Sequence, residues 1–143
     1  MPRSLGCIAV AALLAACGGS SSSPTATISV TSPAAGSSVA LGTDSDKSVP
    51  VAFTTSNFTL ADQCAGNANC GHIHLLIDGA ACNPSGSPYN NSATVSPATA
   101  KFASCASPAG SHTVALELHH QDHTPVNDSR GAVIQTSVAF TTH

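Results

Sequence analysis

Histidine is the residue type through which this sequence could most readily do chemistry, because seven of its 143 residues are histidines. Imidazole nitrogens accompanied by one or two carboxylates are ligands that suit Cu(II) and Zn(II). A His-x-His pair and a later group of histidines and carboxylates supply such side chains; the candidate ligands are His72, His74, Glu117, His119 and His123. The pattern predicts a site of about three histidines plus Glu117 or Asp122, with copper ahead of zinc.

The same residues also have a simpler interpretation. His-x-His occurs by chance in polar strands, and exposed imidazoles beside Glu117 and Asp122 can serve solubility alone. His112 and His143 lie at a strand start and at the C-terminus, and we expect neither in a site. The first expectation is therefore a domain with a binding or structural role and no catalysis. The alternative is a periplasmic or surface metal-binding protein that buffers or delivers the ion.

Other chemistries have little support in the sequence. It lacks the G-x-S-x-G and H-E-x-x-H motifs and any unpaired exported thiol, so we expect no enzyme. Lys and Arg together number four, and charged residues make up 8% of the chain, which is too few to neutralise a phosphate backbone. Nucleic acid is therefore not an expected partner, and no protein partner can be named.

The first histidine pair lies in a segment with the alternation of a β-strand, punctuated by glycine at both ends. Read with a period of two, Ile73, Leu75 and Ile77 share one face, and His72 and His74 lie on the other. The pattern predicts a strand with a buried aliphatic face and an outer face that carries the imidazoles.

Residues 111–120 form the second strong strand. Its inward positions are aliphatic, namely Val114, Leu116 and Leu118. Glu117 and His119 occupy outward positions. A polar loop that contains His123 follows this strand, so three of the candidate ligands come from one strand and its loop.

Short strands at near-regular spacing, broken by Pro, Gly and Ser turns, indicate an all-β fold over residues 26–143. We expect an immunoglobulin-like antiparallel β-sandwich of about seven strands. In that plan the two strong strands are C and F, which are antiparallel neighbours, and two weak strands at 93–95 and 99–102 supply D and E. The start of C then lies beside the end of F, which would collect five of the seven histidines at one pole.

The N-terminus has the features of an export signal. A short positive start is followed by an apolar run that is too short to span a bilayer, and residues 14–17 read Leu-Ala-Ala-Cys, which looks like the lipobox of a bacterial lipoprotein. We expect residues 1–16 to be the signal peptide, Cys17 to carry the lipid, and residues 17–25 to form a flexible tether. The alternative is an ordinary signal peptide cut at a small residue. The expected location is the bacterial cell envelope, anchored in a membrane, with Gly18 favouring the outer membrane.

The remaining cysteines then belong to an exported domain, where an even number favours disulfides; they are Cys64, Cys70, Cys82 and Cys105. Four cysteines can form two disulfides in three different ways, and their number does not decide among them. The strand order places the first two at the histidine pole and the last two at the opposite pole, which predicts Cys64–Cys70 and Cys82–Cys105. The alternative of a four-thiolate zinc site lacks a close C-x-x-C pair.

A resemblance emerges from these motifs taken together. The G-H-x-H-L-x-x-D strand from Gly71, the G-x-H-T strand from Gly110 and the D-H-x-P loop from Asp122 are similar to those of uncharacterised bacterial secreted domains. The portion from Ile28 to Phe53, with its Ser-Pro and Gly turn, resembles the first hairpin of bacterial Ig-like domains. The resemblance implies an Ig-like sandwich on an envelope lipoprotein, and it supports a shared role for His72, His74 and His123.

Overall fold

A computed structural model describes residues 25–143, and their regular secondary structure is almost entirely β-strand. The nine strands are β1 (Thr27–Ser32), β2 (Ser38–Val39), β3 (Ser48–Ser56), β4 (Thr59–Leu60), β5 (Cys70–Ile77), β6 (Asn91–Ala93), β7 (Ala98–Lys101), β8 (Gly110–His120) and β9 (Gln135–Thr142). One 3-10 turn, Phe102–Ser104, follows β7. Within residues 25–143, no helix is long and apolar enough to cross a membrane.

The strands form two sheets. The smaller has the order β1-β3-β7, and the larger runs β2-β9-β8-β5-β4, with β6 also paired to β5. The expected all-β sandwich is confirmed, with nine strands where about seven were expected. The two strong strands, β5 and β8, are antiparallel neighbours, as expected for C and F.

One strand assignment was wrong. The first weak strand, expected as D, lies at Asn91–Ala93 and pairs with β5 in the larger sheet. Its backbone groups therefore extend the sheet that carries the histidines. Because this strand has only three residues, its sequence has too little alternation to show which sheet it joins.

The core lies between the sheets and is built from the aliphatic positions that the alternation predicts. Ile73, Leu75 and Ile77 of β5 are fully buried, and their partners on β8 are the equally buried Leu118, Leu116 and Val114. Buried aliphatic side chains on β3 belong to the same core. Each such side chain contributes roughly 1.5–3 kcal/mol through burial, so this face fixes the register of β5 against β8.

That register also decides what meets on the opposite face. His72 is paired with His119, and His74 with Glu117. Directly opposed side chains on antiparallel strands lie about 5 Å apart at Cβ. Packing of the core therefore brings the histidine-bearing ends of β5 and β8 together.

Both predicted disulfides are present. Cys64–Cys70 closes the loop before β5, and Cys82–Cys105 joins the loop after β5 to the segment before β8. The second bond spans 23 residues, a loop whose closure is worth about 3 kcal/mol in the chain-entropy account. The two bonds hold the loops at either end of β5.

The outer edge of β9 is partly covered by the segment of residues 36–41. Gly36 donates its N–H to the carbonyl of Ala139, Thr141 donates to Ser37, and His143 donates to Val39. Leu41 donates in return to the carbonyl of His143. This segment, which includes the short parallel strand β2, pairs with the C-terminal half of β9.

Candidate metal centre

Three ring nitrogens converge at the histidine pole. The Nε2 atoms of His72 and His74 lie 3.1 Å apart, and the Nδ1 atom of His123 lies 3.2 Å from the first and 3.1 Å from the second. Two of the rings come from β5, and the third comes from the loop between β8 and β9. We call this arrangement the His triangle; its donor atoms could hold a metal ion.

The dimensions of the His triangle suit a transition metal. With metal–nitrogen bonds of about 2.0–2.1 Å, nitrogens at these separations would subtend about 100° at an ion bound to all three, which is within the range of transition-metal ligands. Without a metal, an N–H of one ring can donate to a nitrogen of another, but three lone pairs that converge repel one another. A bound cation would accept the lone pairs of His72, His74 and His123 together.

His72 and His74 are buried, with 8% and 6% of their surfaces exposed, so the expected exposed outer face was wrong. The cover is the ring of Tyr89, whose centroid lies 3.9 Å from that of His74. Tyr89 is held by its neighbour Asn90, whose side-chain amide donates to the carbonyls of Cys82 (2.7 Å) and Lys101 (2.9 Å). The sequence carries no periodic signal in this loop, which is why Tyr89 was missed.

Burial sets the protonation of these rings. Burial, followed by the neighbouring rings of His119, His72 and His123, lowers the pKa of His74 to about 3. Burial likewise lowers the pKa of His72, with His123 and His119 as the next causes. Both rings are therefore neutral near pH 7, which is the state in which an imidazole nitrogen binds a metal.

His123 reaches the triangle because of a tight turn. Its backbone is left-handed, with φ of 65°, and its N–H donates to the carbonyl of His120 at 3.0 Å. Asp122 stabilises the turn by accepting hydrogen bonds from the backbone N–H (3.0 Å) and hydroxyl (2.6 Å) of Thr124. These bonds, led by that of the hydroxyl, lower the pKa of the Asp122 carboxyl. Asp122 thus holds the loop and is not placed as a ligand.

Glu117 and His119, both predicted as ligands, lie beside the His triangle and not in it. The Nδ1–H of His119 donates to the backbone carbonyl of His123 at 2.9 Å, and its Nε2 lies 3.2 Å from a carboxylate oxygen of Glu117. The His119 ring also stacks on His74, with centroids 3.7 Å apart. Both ring nitrogens of His119 therefore face oxygen acceptors, and the residue orients two members of the triangle.

Gly71 permits the close approach of β5 and β8 at this point. A Cβ atom added there would overlap the backbone carbonyl of His119. Only a residue without a side chain fits, and it directly precedes His72. Gly71 is therefore part of what positions the first ligand.

Two clefts flank the His triangle, each of about 360 Å³. The polar cleft is lined by Asp62, His72, Ser92, Ala93, Thr94, Gln121 and His123. The Tyr89 cleft is lined by His74, Leu76, Pro88, Tyr89, Glu117, His119 and His123. His123 is exposed and lines both clefts, so the site is reached from solvent beside this ring.

The remaining histidines have structural partners. His112 is buried and lies 2.7 Å from the carboxylate of Asp78 through Nδ1, and 3.1 Å from the carbonyl of Pro108 through Nε2. His143 lies 3.0 Å from the hydroxyl of Ser38. The sulfurs of Cys82 and Cys105 lie near His112, but they are joined in a disulfide and so do not offer thiolates. His112 and His143 thus lie outside the His triangle.

In comparisons with known proteins, no family model matches the chain, and no curated protein or solved structure matches it either. The predicted lipidation site, Cys17, lies outside the described residues.

Proposed function

We propose that this chain is a metal-binding protein that holds one divalent transition-metal ion, copper ahead of zinc, through His72, His74 and His123. The observation that carries the proposal is the convergence of three imidazole nitrogens at 3.1–3.2 Å. Imidazole ligands suit both ions, and Cu(II) binds a given nitrogen site more tightly than Zn(II) does.

The surroundings of the triangle support the same proposal. Two of its rings are buried and neutral, so protons compete weakly for their lone pairs. His119 orients the third ligand through its hydrogen bond to the His123 carbonyl. Residues that orient the metal ligands through hydrogen bonds are typical of metal sites, and they change metal affinity by about 10–100-fold.

Calorimetry tests the proposal directly. The full chain, freed of metal with a chelator and kept in detergent, is titrated with Cu(II) and with Zn(II). We expect one ion per chain at micromolar or tighter affinity, and a loss of about 100-fold or more for His72→Ala/His74→Ala. His143→Ala, which removes an imidazole outside the site, should bind as the parent does.

Two results would count against metal binding: no heat at micromolar metal, or binding that is unchanged in the double variant. Circular dichroism must show that the double variant keeps its β-sheet. Failure of this kind would favour the metal-free binding or structural domain that the sequence first suggested. In either case we propose a binding role and not a catalytic one, because the sequence lacks recognised catalytic motifs.

We also propose that the protein is exported and held at the bacterial cell envelope, at the outer membrane, by a lipid on Cys17. The support is the lipobox-like sequence that ends at Cys17, together with two disulfides of the kind that form in oxidising compartments. Cells fed a labelled fatty acid should label the parent chain. Cys17→Ser should lose both the label and the membrane association, and a labelled Cys17→Ser chain would contradict the anchor.

A further inference from the structure

The His triangle supplies three donors, and the other two predicted ligands, Glu117 and His119, are engaged with each other. Within residues 25–143, the group of donor atoms that lie within 4.8 Å of one another at this site contains His72, His74 and His123 alone. The nearby Glu117 and His119 face each other at 3.2 Å. The protein therefore provides three ligands from one side.

Three ligands do not complete the coordination of Cu(II) or Zn(II). The angle of about 100° that two of the nitrogens would subtend at a bound ion lies between the ligand–metal–ligand angles of tetrahedral and octahedral coordination. In either geometry the hemisphere opposite the three rings has room for at least one further donor. Sites with three protein ligands and an open position are the ones that exchange water for outside ligands.

The polar cleft offers groups suited to a small anion beside this position. The side-chain oxygen of Gln121 accepts a hydrogen bond from the Cys64 N–H at 3.2 Å, which leaves its NH2 group as the donor end. Ser92 and Thr94 add hydroxyls that line the same cleft. The Tyr89 cleft instead presents Leu76 and Pro88, together with the carboxylate of Glu117, which repels an anion.

We infer that an ion held by the His triangle keeps an open coordination position that takes a small exogenous anion from the polar cleft. This inference rests on the proposed metal binding. The exposed carboxylate of Asp62 lies in the same cleft and repels anions, so attraction must come from the ion. The cleft volume of about 360 Å³ admits an anion of a few atoms without rearrangement.

Azide is a suitable probe because its binding to Cu(II) produces a charge-transfer absorption and changes the electron paramagnetic resonance spectrum. The copper-loaded full chain in detergent is titrated with millimolar azide. We expect a saturable change in both spectra. Asp62→Asn should strengthen azide binding by about threefold, since it removes one like charge near the anion.

Substitutions that fill one cleft at a time test through which cleft azide reaches the ion. Ser92→Trp should weaken azide binding by about tenfold or more, and Thr94→Trp provides a second variant in the same cleft. Pro88→Trp, an exposed position in the Tyr89 cleft, is the matched control and should leave azide binding unchanged.

The outcomes separate the inference from the proposed function. If no copper signal is present before azide is added, metal binding itself has failed. If copper binds but its spectra do not change on addition of azide, the open position is refuted and metal binding stands. The same holds if filtration shows that azide releases the copper. Equal responses in Ser92→Trp, Thr94→Trp and Pro88→Trp would refute the polar cleft as the route.

Discussion

The ring of Tyr89 lies over the imidazole of His74, with centroids 3.9 Å apart and planes tilted by 32°. It belongs to the loop between β5 and β6, whereas the third ligand, His123, comes from the loop between β8 and β9. Two loops therefore flank the site, and neither has an alternation of apolar and polar residues that would predict its position. The contact between Tyr89 and His74 covers one imidazole of a strand face that the alternation predicts to be exposed.

Replacing Tyr89 should change how fast metal leaves. Tyr89→Ala removes an aromatic contact of about 0.5–1.5 kcal/mol and opens His74 to water, so we expect transfer of copper to an excess of chelator to be about tenfold faster. Tyr89→Phe keeps the ring and should transfer copper at the parent rate. Stopped-flow absorbance measures both, and equal rates for the Ala and Phe variants would rule out a covering role.

The metal-free protein should lose stability in acid. Since burial and the neighbouring imidazoles lower the pKa of His74 from 6.5 to about 3, the unfolded chain binds a proton between those values that the folded chain does not. The free energy of unfolding should therefore fall as the pH drops through this window, by at most about 1.4 kcal/mol per pH unit for this group.

Denaturant unfolding at several pH values checks this dependence. His74→Gln should have a shallower slope because it removes the titrating group, whereas His143→Gln, at an exposed position, should keep the parent slope. Identical slopes in the parent and His74→Gln would contradict the assignment to His74.

Gly71→Ala should damage both the fold and the site. The added Cβ overlaps the carbonyl of His119, so β5 must move away from β8, and we expect a destabilisation of about 2–4 kcal/mol with a marked loss of copper affinity. Gly86→Ala has open space around it and a φ of 80°, so it should cost only about 1 kcal/mol of backbone strain and keep the affinity. Thermal unfolding and copper titration compare the two; equal losses would remove the special role of Gly71.

Asp122→Ala should weaken metal binding without unfolding the protein. The substitution removes both hydrogen bonds that hold the turn around His123, and we expect copper affinity to fall by about tenfold. Asp128→Ala is a close match, because Asp128 accepts from the N–H groups of Arg130 (2.8 Å) and Ala132 (2.9 Å) in the same connection. A competition assay with a coloured chelator should show a change in the first variant alone.

Much of the fold could be predicted because the alternation of apolar and polar residues along a strand shows which side chains face the core. Ile73, Leu75 and Ile77 are buried as expected, and their register with β8 sets His72 opposite His119. The pairing of the cysteines followed from the same strand order. These features depend on the core, where burial of each side chain outweighs local effects.

The ligands of the site were harder to predict because they depend on loop geometry and on the direction in which each imidazole nitrogen points. His119 lies on the expected face, but its nitrogens are directed to the His123 carbonyl and to Glu117. His123 lies in the loop, and its inclusion depends on a left-handed residue between Asp122 and Thr124. The Asp-x-Thr spacing is a recognised turn signal and could have indicated this geometry.

The coverage of β9 by residues 36–41 bears on how copies of this protein behave when crowded. Unpaired backbone groups at a sheet edge can recruit a strand from a neighbouring molecule, which leads to aggregation. Here the hydrogen bonds of Gly36, Ser37, Val39 and Leu41 occupy the C-terminal half of that edge. Only a short stretch of β9 is left for another chain to pair with, so crowded folded copies should not readily join through this edge.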